Sequence, residues 1–554
     1  MKKILKLLKL YWFGEEKWGA LGLLFFLLFL ILVKTILLGL VVLQGGELIT
    51  GLAEKDWQRF SQSLIITLIA ITVAVPTFSG TTYIQSRLSL YWRDWTSSYL
   101  LAKYFRDRKF YQLSLHPDLD NPDRRIVEDV KNFTQESLKF LVLLADSSLQ
   151  VIIFSLILWS ISKPLMLFLI VYSIVGTSIT VIVFGCKLVS INIEQIEKEA
   201  DFRYGLVRIE EHNEAIALYN GQEMELDILQ SRFTKAFNNF KHLIRWQLNL
   251  SFFQNGYQYL TLIIPALFLS PGILSGALEV GTIAQASSSF RSVLAALALI
   301  ITQFQQLSSL VAAVTRVVAL EEYLTVEKNL NDQSQPTIDT DEKLYFEIQH
   351  LTLQTPNYQN TLIKDLTITI EPHTNLLIIG ASGVGKSSLL RAIAGLWDSG
   401  TGFIAKPQAK QLFFLPQTPY TTEGTLREQI LYPRKSNISD KTLLQVLQQV
   451  NLSHISKRFN LDTLKNWSTI LSLGEQQRLA FARLLLAKPQ YAILDEATSA
   501  LDNANEKLLY QQLKQHDITT ISIGHRYSLL QYHDLILQLN SDLTWKLNSL
   551  TEKI

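Results

Sequence analysis

Six apolar runs dominate the first half of the chain, over about 19–43, 64–84, 138–161, 165–188, 250–269 and 283–301. Lys34 and Thr35 break the first, Pro76 lies inside the second, and Ser162, Lys163 and Pro164 separate the third from the fourth. About 20 apolar residues cross a bilayer as a helix, because hydrocarbon offers backbone polar groups no partner except one another. The pattern predicts a transmembrane domain of six helices over 19–325. The sixth run is the weakest, interrupted by Gln285, Ser287, Ser288, Ser289 and Arg291. Ahead of the first run, Lys2, Lys3, Lys6 and Lys9 alternate with Leu and Ile at helical spacing. That predicts an amphipathic entry helix over 1–18 on the inner leaflet. The run after it is longer than the 7–15 residues, roughly, of a signal-peptide core, so the segment reads as retained.

Lys and Arg set the orientation. Residues 1–18 hold five, 85–137 nine and 187–248 eight, whereas 45–62, 162–164 and 271–280 hold two, one and none. The positive-inside rule places both termini in the cytosol. The long, charged, helix-forming connections are then internal, so the second to fifth helices extend well below the membrane. VEKNLNDQSQPTIDTDEK (326–343) lacks apolar periodicity and reads as a linker. Residues 344–554 alternate short apolar strands with helices, the pattern of an α/β domain.

Composition agrees with a membrane protein. The 554 residues are 48% hydrophobic and 18% charged, against about one quarter charged for an ordinary soluble domain. That deficit argues against an ordinary cytosolic enzyme, a disordered protein or a nucleic-acid binder, and the net charge of +2 calls for no polyanionic partner. A single cysteine, Cys186, rules out an intrachain disulfide framework.

The second half carries the chemistry. LLIIG (376–380) is a buried-strand pattern running into GASGVGKSS, and Gly380, Gly385, Lys386 and Ser387 satisfy G-x-x-x-x-G-K-[ST] between a strand and a helix. The loop of Gly380, Ala381, Ser382, Gly383, Val384, Gly385, Lys386, Ser387 and Ser388 is expected to wrap ATP phosphates with its backbone N–H groups. Lys386 is expected to reach the β- and γ-phosphates and Ser387 a Mg²⁺ ion. YAILDEATSALD (491–502) places Asp495 at the end of an apolar strand, a position that suits Mg²⁺, and Glu496 next to it as a general base.

With LSLGEQQRLAFARLLL (471–486), the second half resembles the nucleotide-binding domain of an ABC transporter. Ser472, Gly474, Glu475 and Gln476 keep the signature pattern, and Leu473 stands where the family has its first glycine. FFLPQ resembles the Q-loop, which assigns Gln417 to the metal and the nucleotide. SALD resembles the D-loop, with Asp502. TTISIGHR resembles the switch strand, with His525 at the γ-phosphate. The usual adenine-stacking aromatic falls on Thr355, so Tyr358 either substitutes for it or is an ordinary loop tyrosine.

Six spans, long internal connections and a C-terminal ATPase resemble the exporter-type ABC fold over the whole chain. YWFGEEKWGA, DNPDRRIVEDV and NEAIALYNGQEME resemble the SbmA/BacA-like and YddA-like bacterial transporters and the related peroxisomal subfamily D. The resemblance implies that Asn121, Glu214 and Tyr219 couple the internal connections to the ATPase. It also implies ATP-driven movement of a peptide, a cobalamin-like compound or another bulky solute, as import. A fatty acid, acyl-CoA or lipid cargo, or export, is the alternative, and an ATP-gated channel or regulatory subunit is the reading of another class. Glu496 and His525 are both present, which favours turnover. One P-loop and one signature per chain imply a homodimer with composite ATP sites, in a bacterial inner membrane or, as the second choice, an organelle membrane. Lipid and solute are the other expected partners, with no nucleic acid. Lys34, Gln285 and Arg291 are expected to line the substrate cavity, because intramembrane charge usually faces a wet space; for Lys34 and Arg291 a buried pair or snorkelling is the competing reading.

Overall fold

The computed structural model describes residues 11–14, 17–114, 122–302, 304–325, 336–434 and 436–550. The chain divides into two compact units, Met1–Glu327 and Lys328–Ile554.

The first unit is helical. Its long helices are α1 (Lys17–Ala53), α2 (Trp57–Phe105), α3 (Val130–Ile161), α4 (Lys163–Ile179), α5 (Cys186–Glu211), the short α6 (Asn213–Tyr219), α7 (Gln222–Leu274), α8 (Gly281–Thr302) and α9 (Phe304–Thr325). A π-helical turn, Thr180–Gly185, joins α4 to α5. The first, second, third and fifth apolar runs each lie inside one longer helix, and the fourth runs through α4 and the π-helical turn into α5. Among the described residues five helical stretches have the length and hydropathy of a membrane span. The sixth expected span, α8, is a helix of 22 residues and is not among those five. The entry helix expected over 1–18 lies mostly outside the described residues.

Polar punctuation sets the helix ends. The Asp56 carboxylate accepts from the Gln58 and Arg59 backbone N–H groups at 3.0 and 3.1 Å and caps α2. Ser162 caps α4 ahead of Pro164, and Asn220 closes α6 in the left-handed conformation. Large apolar side chains such as Phe25, Ile69, Leu156 and Phe252 point outward, as helices solvated by hydrocarbon require. Small and polar residues pack inward, among them Thr35, Thr96, Ser173 and Ser289. At one end of this unit Tyr11 is buried with Trp92, Phe133 and Val317, its ring stacked on Trp92 at 5.8 Å. Arg316 of α9 there donates to both oxygens of the buried Asp129, at 2.7 and 2.6 Å.

The second unit is α/β. Its strands are β1 (Asp339–Glu342), β2 (Phe346–Gln354), β3 (Thr361–Ile370), β4 (Leu376–Gly380), β5 (Gly400–Lys406), β6 (Leu412–Leu415), β7 (Glu423–Thr425), β8 (Leu464–Asn466), β9 (Tyr491–Asp495), β10 (Thr519–Ile523), β11 (Leu535–Leu539) and β12 (Trp545–Ser549). One sheet has the order β1-β5-β2-β3, a second the order β12-β11-β4-β10-β9-β6, and β7 pairs with β8. The expected linker therefore ends earlier than residue 343. Asp339–Glu342 pairs in parallel with Phe403–Lys406 as an exposed edge strand, and four consecutive polar residues hid it from any hydrophobic pattern. Phe346, Ile378, Leu389, Ile493 and Ile521 fill a core that joins the two sheets. A second core around Trp467, Leu479, Phe481 and Leu447 holds the helical part.

Candidate active site

Strands β11, β4, β10, β9 and β6 run parallel, with Ile378 and Asp495 both opposite Ile523 and Leu415 opposite Leu494. The loops that leave the carboxyl ends of four of them therefore open on one edge, where open α/β sheets bind ligands. Those loops carry Gly380–Ser388, Gln417, Glu496 and His525. The predicted motifs, far apart in sequence, converge because these strands are neighbours in register.

The P-loop has little room for side chains. Gly380 has φ +155°, and a Cβ there would lie 2.4 Å from the Leu539 carbonyl oxygen. Gly385 has φ +97° and passes under Leu362 of β3. The helix α10 (Lys386–Ile393) starts directly after it, so its unpaired N–H groups face the loop. Lys386 is buried, and its ammonium donates to the carbonyls of Gly380 and Ala381 at 2.9 and 2.8 Å. Burial pulls its pKa below the ordinary lysine range, while the charges of Glu496 and Asp495 act the other way. Ser387 Oγ donates to Asp495 Oδ1 at 3.0 Å. Burial pushes the Asp495 carboxyl above the ordinary aspartate range, partly offset by that hydrogen bond.

Glu496 is held on both oxygens. Gln417 Nε2 donates to Oε2 at 2.9 Å, and His525 Nε2 lies 3.2 Å from Oε1. The backbone of Glu496 has φ +47°, a conformation a glutamate rarely adopts. Its N–H donates to the Ile523 carbonyl at 3.3 Å and its carbonyl accepts from the Ser499 N–H at 3.0 Å. The neighbouring strand β10 and the turn that follows Glu496 thus fix the backbone that presents its carboxylate.

The signature residues begin helix α11 (Leu473–Ala487). Ser472 is its N-cap, and Glu475 closes a capping box by accepting from the Ser472 backbone N–H and hydroxyl at 2.9 and 3.0 Å. Burial alone would raise the Glu475 pKa, but hydrogen bonds from His454 and Ser472 outweigh it and hold it below the ordinary range. The Glu475 carboxylate, expected at the nucleotide, is engaged with its own helix. Gly474 admits the D-loop closely, since a Cβ there would lie 3.1 Å from the Ala500 carbonyl oxygen. Asp502 caps helix α12 (Asn503–Gln515) by accepting from the Asn505 N–H at 2.7 Å. Tyr358 sits at the tip of the β2–β3 connection at φ +58°, partly buried, with its N–H donating to the Thr355 carbonyl at 2.7 Å. The same connection leads to Leu362 beside Gly385.

The expected cavity residues divide. Lys34 is buried in the bundle, and its ammonium lies 2.7 Å from Asp146 Oδ1 and 4.9 Å from the centre of the Phe78 ring. Gln150 Nε2 donates to the other Asp146 oxygen at 3.0 Å. Gln285 is buried too, packed on Gly46 and donating to the Leu43 carbonyl at 2.8 Å. These two residues join helices instead of lining an open cavity, because each finds its polar partner on a neighbouring helix. Arg291 is exposed. Of the coupling residues, Asn121 lies outside the described residues, and Glu214 and Tyr219 are exposed on α6, Tyr219 at 86%.

Three polar positions escaped the sequence reading. Asp146 lies inside the third apolar run, where a lone aspartate is itself a signal. Gln477, fully buried, donates to the Gln417 carbonyl and to Ser499 Oγ, both at 3.2 Å, and accepts from the Ala500 N–H at 3.1 Å. Arg526 donates to the Leu501 and Ser499 carbonyls at 2.7 and 2.9 Å and approaches the buried Glu506. These two signals are only polar residues beside recognisable motifs, and nothing in their spacing marks them.

A helical unit with span-length apolar helices, joined to an α/β unit whose sheet edge gathers a P-loop, a strand-end Asp-Glu and a signature helix, defines an ATPase fused to a membrane domain. The model of ABC transporter transmembrane region 2 matches residues 7–274, and the ABC transporter model matches residues 363–499. The chain is 42% identical to an uncharacterized ABC transporter ATP-binding protein of Synechocystis sp., over 96% of this chain and 82% of that one. It is 39% identical to ABC transporter D family member 2, chloroplastic, of Arabidopsis thaliana, over 98% and 86%. It is 30% identical to the human lysosomal cobalamin transporter ABCD4, over 99% and 96%. The chain belongs to the ABC transporter family, among the relatives of its D-family members. It is a membrane protein that binds ATP and couples ATP hydrolysis to transport.

Proposed function

We propose that the protein works as a homodimer that imports a peptide, a cobalamin-like compound or another bulky solute across a bacterial inner membrane, with both termini in the cytosol. The observation that carries the ATP chemistry is the Glu496 carboxylate held between Gln417 and His525 at the sheet edge that also presents the P-loop. ATP lies with its phosphates against the Gly380–Ser388 backbone. Lys386 exchanges the Gly380 and Ala381 carbonyls for phosphate oxygens, and Tyr358 reaches the adenine end. Glu496 takes a proton from the attacking water as the water oxygen bonds to the γ-phosphorus and the bond to the β-phosphate oxygen breaks. His525 holds the carboxylate and the γ-phosphate in register.

The donor set fits Mg²⁺. Ser387, Asp495 and Gln417 supply hard oxygens, and the Asp495 carboxyl, disfavoured as an anion by burial, gains most from a cation. Mg²⁺ bound there would neutralise phosphate charge. Ser472 and Gly474 face the nucleotide of the second chain, and Glu214 and Tyr219, exposed on α6, carry closure to the membrane helices. The cobalamin-like cargo rests on the likeness to the human cobalamin transporter over nearly the whole chain. A fatty acid or acyl-CoA, implied by the resemblance to the peroxisomal subfamily D, is the second reading. Proteoliposomes given peptide, cobalamin and acyl-CoA in parallel test the choice. The proposal expects ATP-dependent uptake of peptide or cobalamin, and accumulation of acyl-CoA alone would replace it with the second reading.

A further inference from the structure

Gln477 occupies an unusual place for a polar side chain. It lies on α11, between the signature residues at the helix start and the buried core, and it is fully buried. Its amide touches two loops and uses both of its ends. The nitrogen donates to the Gln417 carbonyl and to Ser499 Oγ, and the oxygen accepts from the Ala500 N–H. Gln417 is the residue whose side chain grips Glu496. Ser499 and Leu501 are held from the other side by Arg526, which follows His525, the second partner of Glu496. The same helix begins at Ser472, and its first turn presses Gly474 against the Ala500 carbonyl.

A buried amide of this kind is costly to leave without partners, so α11, the Gln417 loop and the Ser499–Leu501 loop have to move together or lose hydrogen bonds. We infer that Gln477 is a positioning residue that relays the state of Ser472 to Gln417 and through it to Glu496. The inference rests on the proposed composite sites. In that arrangement Ser472 serves the nucleotide held by the partner chain, while Gln417 and Glu496 serve the nucleotide of their own chain. Gln477 then links the two sites of the dimer through a single rigid helix. Nucleotide engaged at one site pulls on α11, and the amide carries that displacement to the carboxylate that activates water at the other.

The test uses the full-length protein in proteoliposomes with MgATP. Gln477→Met keeps the volume and removes both hydrogen-bonding ends. Gln477→Glu keeps the acceptor for the Ala500 N–H and removes the donor to Gln417, and it serves if the first variant does not fold. ATP hydrolysis is measured against ATP concentration. The relay predicts a wild-type Hill coefficient above 1 that falls to 1 in either variant. It also predicts kcat lower by roughly tenfold to a hundredfold, the cost of a misplaced catalytic group, with KM for ATP unchanged within about twofold. A lower melting temperature with the wild-type Hill coefficient and kcat would overturn it and leave Gln477 as a packing residue, as would a raised KM alone or a wild-type Hill coefficient of 1. Failure of the composite sites themselves shows up separately, as absence of ATP trapping in mixed dimers of Lys386→Ala and Ser472→Arg chains.

Discussion

Lys34 and Lys386 are buried to the same extent, each 7% exposed, yet they do opposite things with their charge. Lys34 meets a carboxylate at 2.7 Å and the face of Phe78. Lys386 meets two carbonyls of its own loop. The first ammonium is neutralised within the bundle, and a solute would have to break an ion pair to reach it. The second is satisfied only by neutral groups, which a phosphate can replace at a gain, since charge-assisted hydrogen bonds are roughly twice as strong as neutral ones. The state of the partner, more than depth of burial, separates a structural cation from a receptive one. The same contrast separates Gln285, bonded to the Leu43 carbonyl, from the exposed Arg291.

The strongest way to break the comparison is to remove the carboxylate from Lys34. Asp146→Asn leaves a charged group in the bundle without its counterion and should cost about 3–5 kcal/mol of stability. Lys34→Met with Asp146→Leu should recover most of it, measured by thermal unfolding in detergent. A double variant as unstable as the single one would show that the pair does more than neutralise itself.

Next comes the receptive site. Glu496→Gln should lower ATP hydrolysis by at least roughly 100-fold, the scale of general-base catalysis, while ATP still binds. Near-normal turnover would remove Glu496 from the chemistry.

The smallest effect is a pH dependence. Glu475 has its pKa lowered in the folded protein: burial opposes the shift, and the hydrogen bonds from His454 and Ser472 overcome it. A carboxylate with a lowered folded-state pKa adds stability above its ordinary range, and that stability is lost as pH falls through the folded-state value. Glu475→Gln should lower stability at neutral pH, where the carboxylate's contribution is fully present, and flatten the acid limb, so that the two unfolding curves converge as pH falls through the folded-state value. An unchanged acid limb would mean that the capping box does not titrate with folding.

Uniform features were legible in the sequence and particular partners were not. The first five spans stand out because apolar runs persist for more than four helical turns, and a run needs no knowledge of its neighbours. The P-loop, Asp495 and Glu496 were legible because their spacing from strand ends is local, His525 was legible only through the resemblance of its strand, and register brought all of them to one edge. Lys34 and Gln285 were placed in a cavity because a polar residue in a span shows its cost but not its partner; Asp146 lies 112 positions from Lys34 in the chain, beyond any periodicity. Strand β1 was hidden by its charges, since its pairing with β5 is made by backbone alone. Gln477 was hidden because a buried amide is defined by the loops that fold onto it.

In the proposed homodimer a single chain cannot complete an ATP site and two chains complete two. Covalently linked dimers carrying Lys386→Ala on one chain and Ser472→Arg on the other measure it directly. Each variant paired with itself should trap no ATP, because both sites are damaged. The mixed dimer gathers both lesions into one site, leaves the other intact and should trap one ATP per dimer. Trapping that stays absent in the folded mixed dimer would contradict the account, because it would mean that Lys386 and Ser472 of one chain serve the same nucleotide.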